Sequence, residues 1–129
     1  MDLLLDTHVL LWWLADSSKL GEPARVMIAD PNNRVSVSAA TGWEIAIKLG
    51  LGKLAVQSDA ADWLPAELTA NRFNSLPIDL RHALAVEQLP RYHTDPFDRL
   101  LIVQAALEGL TIVTADRQFE PYDPRLILC

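Results

Sequence analysis

Four carboxylates in this sequence stand where an apolar run has just ended or a helix is about to begin. Asp6 follows LLL, and Asp116 follows LTIVT with Ala115 between. Glu44 lies in WEIAIK behind RVSVS, and Asp98 in DPFD ahead of LLIVQAAL. Singly, each has an ordinary explanation. An acid in a helix's first turn is favoured by the helix dipole by about 0.3–1 kcal/mol. Asp6 suits an N-cap, and Asp116 suits the start of a turn. Together they imply a site. Carboxylates gathered in one place raise each other's pKa values unless a cation neutralises them. Oxygen donors, with no paired histidines and a lone cysteine at Cys129, suit Mg2+ or Mn2+ rather than zinc. A carboxylate-held ion of that kind is best suited to phosphoryl chemistry. It makes a nucleophile of a bound water and, alone or with a second ion about 4 Å away, stabilises the leaving oxygen of an in-line displacement. It also inverts the local field, so that an acidic protein accepts a polyanion.

Such a site needs elements that carry distant residues to one edge. Leu3–Leu5 reads as a short buried strand and Val9–Ala15 as the helix behind it. Pro23 fits the first turn of a second helix that begins near Gly21 or Glu22. Arg34–Ser38 alternates β-branched and polar residues and predicts a strand. A helix then starts near Ala40 or Thr41 and is closed by Gly50 and Gly52. Asp59–Ala70 is a further helix, SLPI around Ile78 a short strand, and Leu80–Leu89 another helix. Asp95-Pro96 opens a long helix through Leu107 that Gly109 ends; LTIVTA and Arg125–Leu128 are the last strands. Strand–helix alternation with nearly continuous apolar strands predicts an α/β fold with a parallel sheet covered on both faces. In such sheets, ligands bind beyond the carboxyl ends of the strands, near helix N-termini. All four acids are expected at that rim, with Asp95 as a fifth.

At 129 residues, half of them apolar, the chain is expected to form one domain spanning 1–129. A single cysteine points to a reducing compartment. Asp2 replaces the basic start of a secretory signal, and Gln104, Glu108 and Gly109 break the longest late apolar run. A cytoplasmic protein with no membrane partner is expected. The net charge of −6 excludes a generally basic nucleic-acid surface, so a metal cluster would have to bring phosphates in.

LLLDTHVLLWWL, SAATGWEIAIKLGLGKL and HTDPFDRLLIVQAALEGLTIVTADRQFEPYDPRLI, in that order and at those separations, resemble the PIN-domain nucleases. The branch they look most like is the VapC-type toxins of bacterial toxin–antitoxin pairs. The resemblance covers nearly the whole chain, most weakly over Val56–Leu89. It implies a three-layer α/β/α PIN-like fold and a Mg2+-dependent endoribonuclease, with Mn2+ as a substitute, leaving a 5′-phosphate and a 3′-hydroxyl. It implies as partners an RNA substrate, a cognate antitoxin protein and a second copy in a homodimer. The family's first aspartate matches Asp6, its helix glutamate Glu44, its third acid Asp98 and its fourth Asp116. Its small hydroxyl residues match Thr7 and Thr114. Asp95 stays open between a water-mediated ligand and a helix cap, with Asp98 favoured as the ligand. Gly42 stands where relatives carry a larger apolar residue, which bears on where Glu44 is placed.

Other residues have two readings each. Trp12 and Trp13 cannot both face one core from one helix, so one of them, with Leu11 or Leu14, is expected to be exposed. The pair reads either as plain packing or as a partner surface, which the resemblance would assign to the antitoxin. His8 could serve as a general base, but packing or capping is the commoner role and the metal chemistry does not need it. His93, Arg91 and Arg99 bracket the acidic pair, as RNA-backbone contacts or as solvated loop charges. Lys48 and Lys53 are at best phosphate contacts, because IKLGLGKL lacks P-loop spacing. A phosphoacceptor receiver would want a lysine at the end of a late strand, which LTIVTADR lacks. Haloacid dehalogenase phosphatases need DxDx[TV], which Asp6-Thr7-His8 fails. A catalytically silent PIN-fold module that binds RNA or protein would be expected to lack the acids, and all four are present.

Overall fold

The structure is a computed structural model that describes residues 1–122 and 126–128. In chain order the elements are β1 (Asp2–Leu5), α1 (Thr7–Leu14), α2 (Glu22–Ala29), β2 (Arg34–Ser38), α3 (Ala39–Gly50), α4 (Ala60–Ala70), β3 (Asn74–Leu76), α5 (Leu80–Ala85), α6 (Pro96–Glu108), β4 (Thr111–Thr114) and β5 (Leu126–Leu128). Short 3-10 turns follow α5 and β4, over Val86–Gln88 and Arg117–Tyr122. The five strands form one sheet in the order β3-β2-β1-β4-β5, and every neighbouring pair is parallel.

The apolar run of β1 explains its place. Successive strand side chains point to opposite faces, so a strand apolar at every position belongs where both faces are covered. Leu3 and Leu5 enter one core with Val9, Val35, Val37, Ile45 and Val113. Leu4 enters the other with Ala40, Leu101, Ile102, Ile112 and Phe119. Helices on both faces of an all-parallel sheet give the expected α/β/α arrangement. The chain builds outward from β1 to β2 and β3, then returns to lay β4 on the opposite edge of β1. The strand order therefore reverses between β1 and β4, the position that opens a crevice at the carboxyl ends of such sheets.

Several boundaries differ from the sequence reading, each for a local reason. Helix α1 begins at Thr7 rather than Val9, because the Asp6 side chain accepts the Val9 amide as an N-cap. Strand β3 covers Asn74–Leu76 and excludes Ile78. Pro77 has no N–H to give and ends the ladder. The expected helix Leu80–Leu89 is an α-helix only to Ala85 and tightens into the 3-10 turn. Asp59 precedes α4 as its N-cap residue. Of the last expected strand, Leu126–Leu128 is observed, and Arg125 lies outside the described residues.

Of the two readings of the tryptophan pair, plain packing is the one observed, and the expected exposure of one ring is corrected. Neither Trp12 nor Trp13 is exposed: both are half-buried and pack on the core that holds Leu3 and Leu5. Trp13 reaches Asn71 beyond α4, donating its indole N–H to Oδ1 at 2.9 Å, and tilts against Phe73. Two adjacent bulky residues straddle the rim of the contact instead of dividing between core and water. No helix among the described residues is long and apolar enough to cross a membrane.

Candidate metal centre

Asp6 is delivered by β1. Its backbone N–H bonds Val113 O on β4 at 3.1 Å, which extends the ladder by one residue and places the carboxylate at the switch point. One carboxylate oxygen caps α1 through the Val9 amide at 2.8 Å, and the other accepts the Thr114 hydroxyl. Cap and rim residue are thus the same group. Burial pushes its carboxyl upward, against the pull of the Thr114 hydroxyl and the Val9 amide. Thr114 is shared: its Oγ1 also accepts the Asp116 N–H at 3.0 Å, tying the two acids to one buried hydroxyl. Asp116 turns the chain as expected, accepting the Gln118 amide at 2.9 Å. A cleft of about 320 Å³ opens over Asp6 and Asp116, with His8, Trp12 and Gln118 on its walls.

Glu44 comes from the second turn of α3, which Ser38 caps by accepting the Ala40 amide. Its Oε1 accepts the Thr7 hydroxyl at 2.6 Å, and Thr7 Oγ1 also lies 3.2 Å from Thr41 Oγ1. Its Oε2 is 3.4 Å from Lys48 Nζ, one turn further along the helix. Gly42 does not disturb this placement. A Cβ there would meet only Leu64 Cδ2, at 3.7 Å, an ordinary contact.

Asp98 stands in the first turn of α6, and Asp95 caps that helix through the Phe97 and Asp98 amides at 2.9 and 3.0 Å. The structure thus assigns Asp95 a cap, while its charge still bears on Asp98. Burial first, then the Asp95 charge, with Asp6 and Glu44 adding to it, raise the Asp98 carboxyl to about 7, against the lowering effect of His93. Asp95, Asp6 and Glu44 all press on Asp98, whereas Asp116 is reached through a histidine.

That histidine is His93. It is buried, and its Nε2 lies 3.0 Å from Asp98 Oδ2 and 3.2 Å from Asp116 Oδ2. Its Nδ1 accepts the Asp95 amide at 3.2 Å, so the ring proton is on Nε2, between the two carboxylates. The ligand-type atoms of His93, Asp98 and Asp116 lie within 4.8 Å of one another, whereas Asp6 and Glu44 fall outside that group. The four predicted acids therefore share one rim but meet in stages: Asp6 with Asp116 through Thr114, Asp116 with Asp98 through His93, and Glu44 with Asp6's neighbour Thr7.

Among these residues, the fit to a hard divalent cation rests on charge. Two carboxyls are pushed upward by burial and by neighbouring acids, and the one cationic side chain paired with these acids is a lysine on Glu44, His93 offering Asp98 and Asp116 only a shared imidazole N–H. Oxygen donors in surplus of positive charge are what Mg2+ or Mn2+ requires.

His93 was legible only as a loop residue beside acids; its burial comes from Phe119 and Tyr122, which arrive after β4. Arg99 is buried too. It donates to the carbonyls of Val86, Leu89, Pro90 and His93, so it anchors the loop before α6 and is not an RNA-backbone contact. Arg91 is exposed. His8 is exposed beside Trp12, with ring centroids 6.0 Å apart, and bonds none of the acids.

The chain is thus in the class of α/β/α proteins with an all-parallel central sheet, its acids gathered where the strand order reverses. The family follows from the sequence. Residues 3–123 match the PIN domain family, and the chain belongs to it. It is 28% identical over 120 residues to Ribonuclease VapC22 of Mycobacterium tuberculosis, covering 92% of this chain and 90% of that protein. The fold is similar to a chain of VapBC2 from Rickettsia felis bound to a DNA fragment from their promoter, at a TM-score of 0.70 and 18% identity, covering 100% of this chain and 98% of the other. DNA-bound VapBC from Salmonella typhimurium compares at a TM-score of 0.65 and 21% identity, covering 98% and 97%.

Proposed function

We propose that this chain, working as one unit over residues 1–129, is a Mg2+-dependent endoribonuclease and the toxin of a toxin–antitoxin pair. The observation that carries the reading is the rim cluster, in which Asp6, Asp116 and Asp98 are joined through Thr114 and His93, with Asp98 raised to about 7. Its likeness to a ribonuclease over nine-tenths of both chains supports the choice of RNA.

Asp6, Glu44, Asp98 and Asp116 would hold the cation. When bound, the ion supplies an activated water and neutralises charge on the phosphate. The chain's own groups do the rest. Thr114 and Thr7 fix the Asp6 and Glu44 carboxylates in orientation, and His93 keeps Asp98 and Asp116 side by side. Lys48, held on Glu44 in the free protein, is placed to pair with a phosphate oxygen once the acid has another partner. Water adds to phosphorus and the bond to the 3′ oxygen breaks, leaving a 5′-phosphate and a 3′-hydroxyl. An apolar cleft of about 370 Å³ lined by Leu11, Leu14, Leu54, Val56 and Trp63 supports an antitoxin segment as its occupant, in a helix-in-groove mode. A homodimer in the cytoplasm completes the reading.

The test is cleavage of single-stranded RNA with Mg2+ or Mn2+ added back to chelated protein. Asp6→Asn and Asp98→Asn should each lower the rate by at least about a hundredfold, the scale of losing one electrostatic contact to a transition state. RNA that is bound but never cut, with or without metal, would make the chain a silent binding module instead.

A further inference from the structure

The largest exposed side chain of the described residues sits beside the acids and has no role in holding them. Trp43 is 62% exposed, one residue before Glu44 on α3. Phe97, one residue before Asp98 on α6, meets it edge to face, with centroids 5.2 Å apart at 78°. We propose that Trp43, steadied by Phe97, is the stacking platform for the nucleobase next to the scissile phosphate. The proposal rests on the ribonuclease reading above and deepens it into how the substrate is held.

Neighbouring residues on a helix diverge by about 100°, so the indole flanks the acid cluster rather than entering it. Glu44 turns to Thr7 and Lys48 while Trp43 turns to Phe97 and water. The contact with Phe97 ties the ring's position to the start of α6, and hence to Asp98. An indole, an acid and a lysine follow one another along α3 at positions 43, 44 and 48. That order offers a surface for a base, a charge centre for its phosphate and a cation for the next phosphate. Single-stranded RNA is bound in this manner, by splayed bases on aromatic faces, and stacking is tolerant of sequence because every base has a π-face. An acidic protein with a net charge of −6 has little bulk attraction for RNA, so an aromatic contact next to the metal ligands has more of the binding to do.

The apolar surface continues along α3 through Ile47 and Leu51, at 38% and 64% exposure. A second copy or an antitoxin lying over the whole helix is the competing occupant, and the experiment separates the two. Trp43→Ala and Trp43→Phe are compared with wild type in steady-state cleavage of short single-stranded RNA under saturating Mg2+, with oligomeric state and metal affinity measured in parallel. The expected result is a KM raised roughly five- to a hundredfold in Trp43→Ala, the range for one stacked base, with kcat within about twofold. Trp43→Phe should recover most of the loss, and metal affinity and oligomeric state should not move. In Asp98→Asn, which retains the platform, an RNA oligomer should quench indole emission, and the quench should shrink when Trp43→Phe is added. An unchanged KM in Trp43→Ala overturns the platform, as does an altered oligomeric state with unchanged KM, which assigns α3 to a protein partner. If wild type and Asp98→Asn cleave alike, or neither cleaves, the ribonuclease reading itself fails, a result distinct from a normal KM.

Discussion

Asp98 is the residue whose behaviour should most directly report the site. Its carboxyl is raised from 3.8 to about 7 chiefly by burial and then by the neighbouring acids. A carboxyl with a raised folded pKa binds its proton more tightly in the native state, so metal-free stability falls as pH rises from about 4 to about 7, and is level above that. Thermal unfolding of the chelated protein should show this decline, and Asp98→Asn should flatten it. A cation binds the ionised form, so the Mg2+-induced rise in melting temperature should grow between pH 6 and 8. A metal effect independent of pH across that window would exclude Asp98 as a ligand. His93 makes a second test. His93→Ala removes the shared proton between Asp98 and Asp116, and outer partners of this kind are worth about 10–100-fold in metal affinity or activity. Mn2+ titration of the variant measures it. The acids themselves were legible because carboxylates at strand ends and helix starts are conspicuous in sequence. His93 was not, since no periodicity marks a loop residue as buried.

At the scale of elements, the site depends on the register between α3 and α6. Ser38 at the start of α3 donates to Gln104 Oε1 on α6 at 2.5 Å, and Gln104 Nε2 donates to Pro77 O at 3.2 Å. Both side chains are buried, so Gln104→Leu leaves the Ser38 hydroxyl without its acceptor and should cost about 1–3 kcal/mol. Urea unfolding gives the loss, and a parallel drop in cleavage at temperatures where the variant is folded would mean that Glu44 and Asp98 had moved apart. The far end of α6 is held by a second polar cluster. His82 accepts the Asp79 amide on Nδ1 and lies 2.8 Å from Glu108 through Nε2, with Arg81 on the same carboxylate. Both ring nitrogens are committed, which makes this a clasp between α5 and α6. Gly109 ends α6 at φ 69°, in the left-handed region, so Gly109→Ala should destabilise by about 1 kcal/mol. The glycine stop, the proline start and the alternation in β2 were all readable. The early end of β3 and the tightening after Ala85 were settled by Pro77 and by packing.

For the whole molecule, a cation that binds the folded rim and not the unfolded chain should add about 2.7 kcal/mol at a hundred times its Kd. A calorimetric scan with and without Mg2+ checks this. Expression of the chain alone should arrest bacterial growth, and co-expression of the neighbouring gene's product should restore it; normal growth at high expression would contradict the toxin reading. The sequence by itself determined the alternation of strands and helices, the buried character of Leu3–Leu5 and which acids fall at strand ends and helix starts, because periodicity, turn chemistry and residue type are local properties. Only the tertiary structure decided that Asp6, Asp116 and Asp98 are joined through Thr114 and His93, that both tryptophans of α1 pack inward, and that Trp43 stands in water beside Phe97. Those outcomes depend on strand order and on which loop covers which rim, and such long-range contacts have no signature in the neighbouring residues.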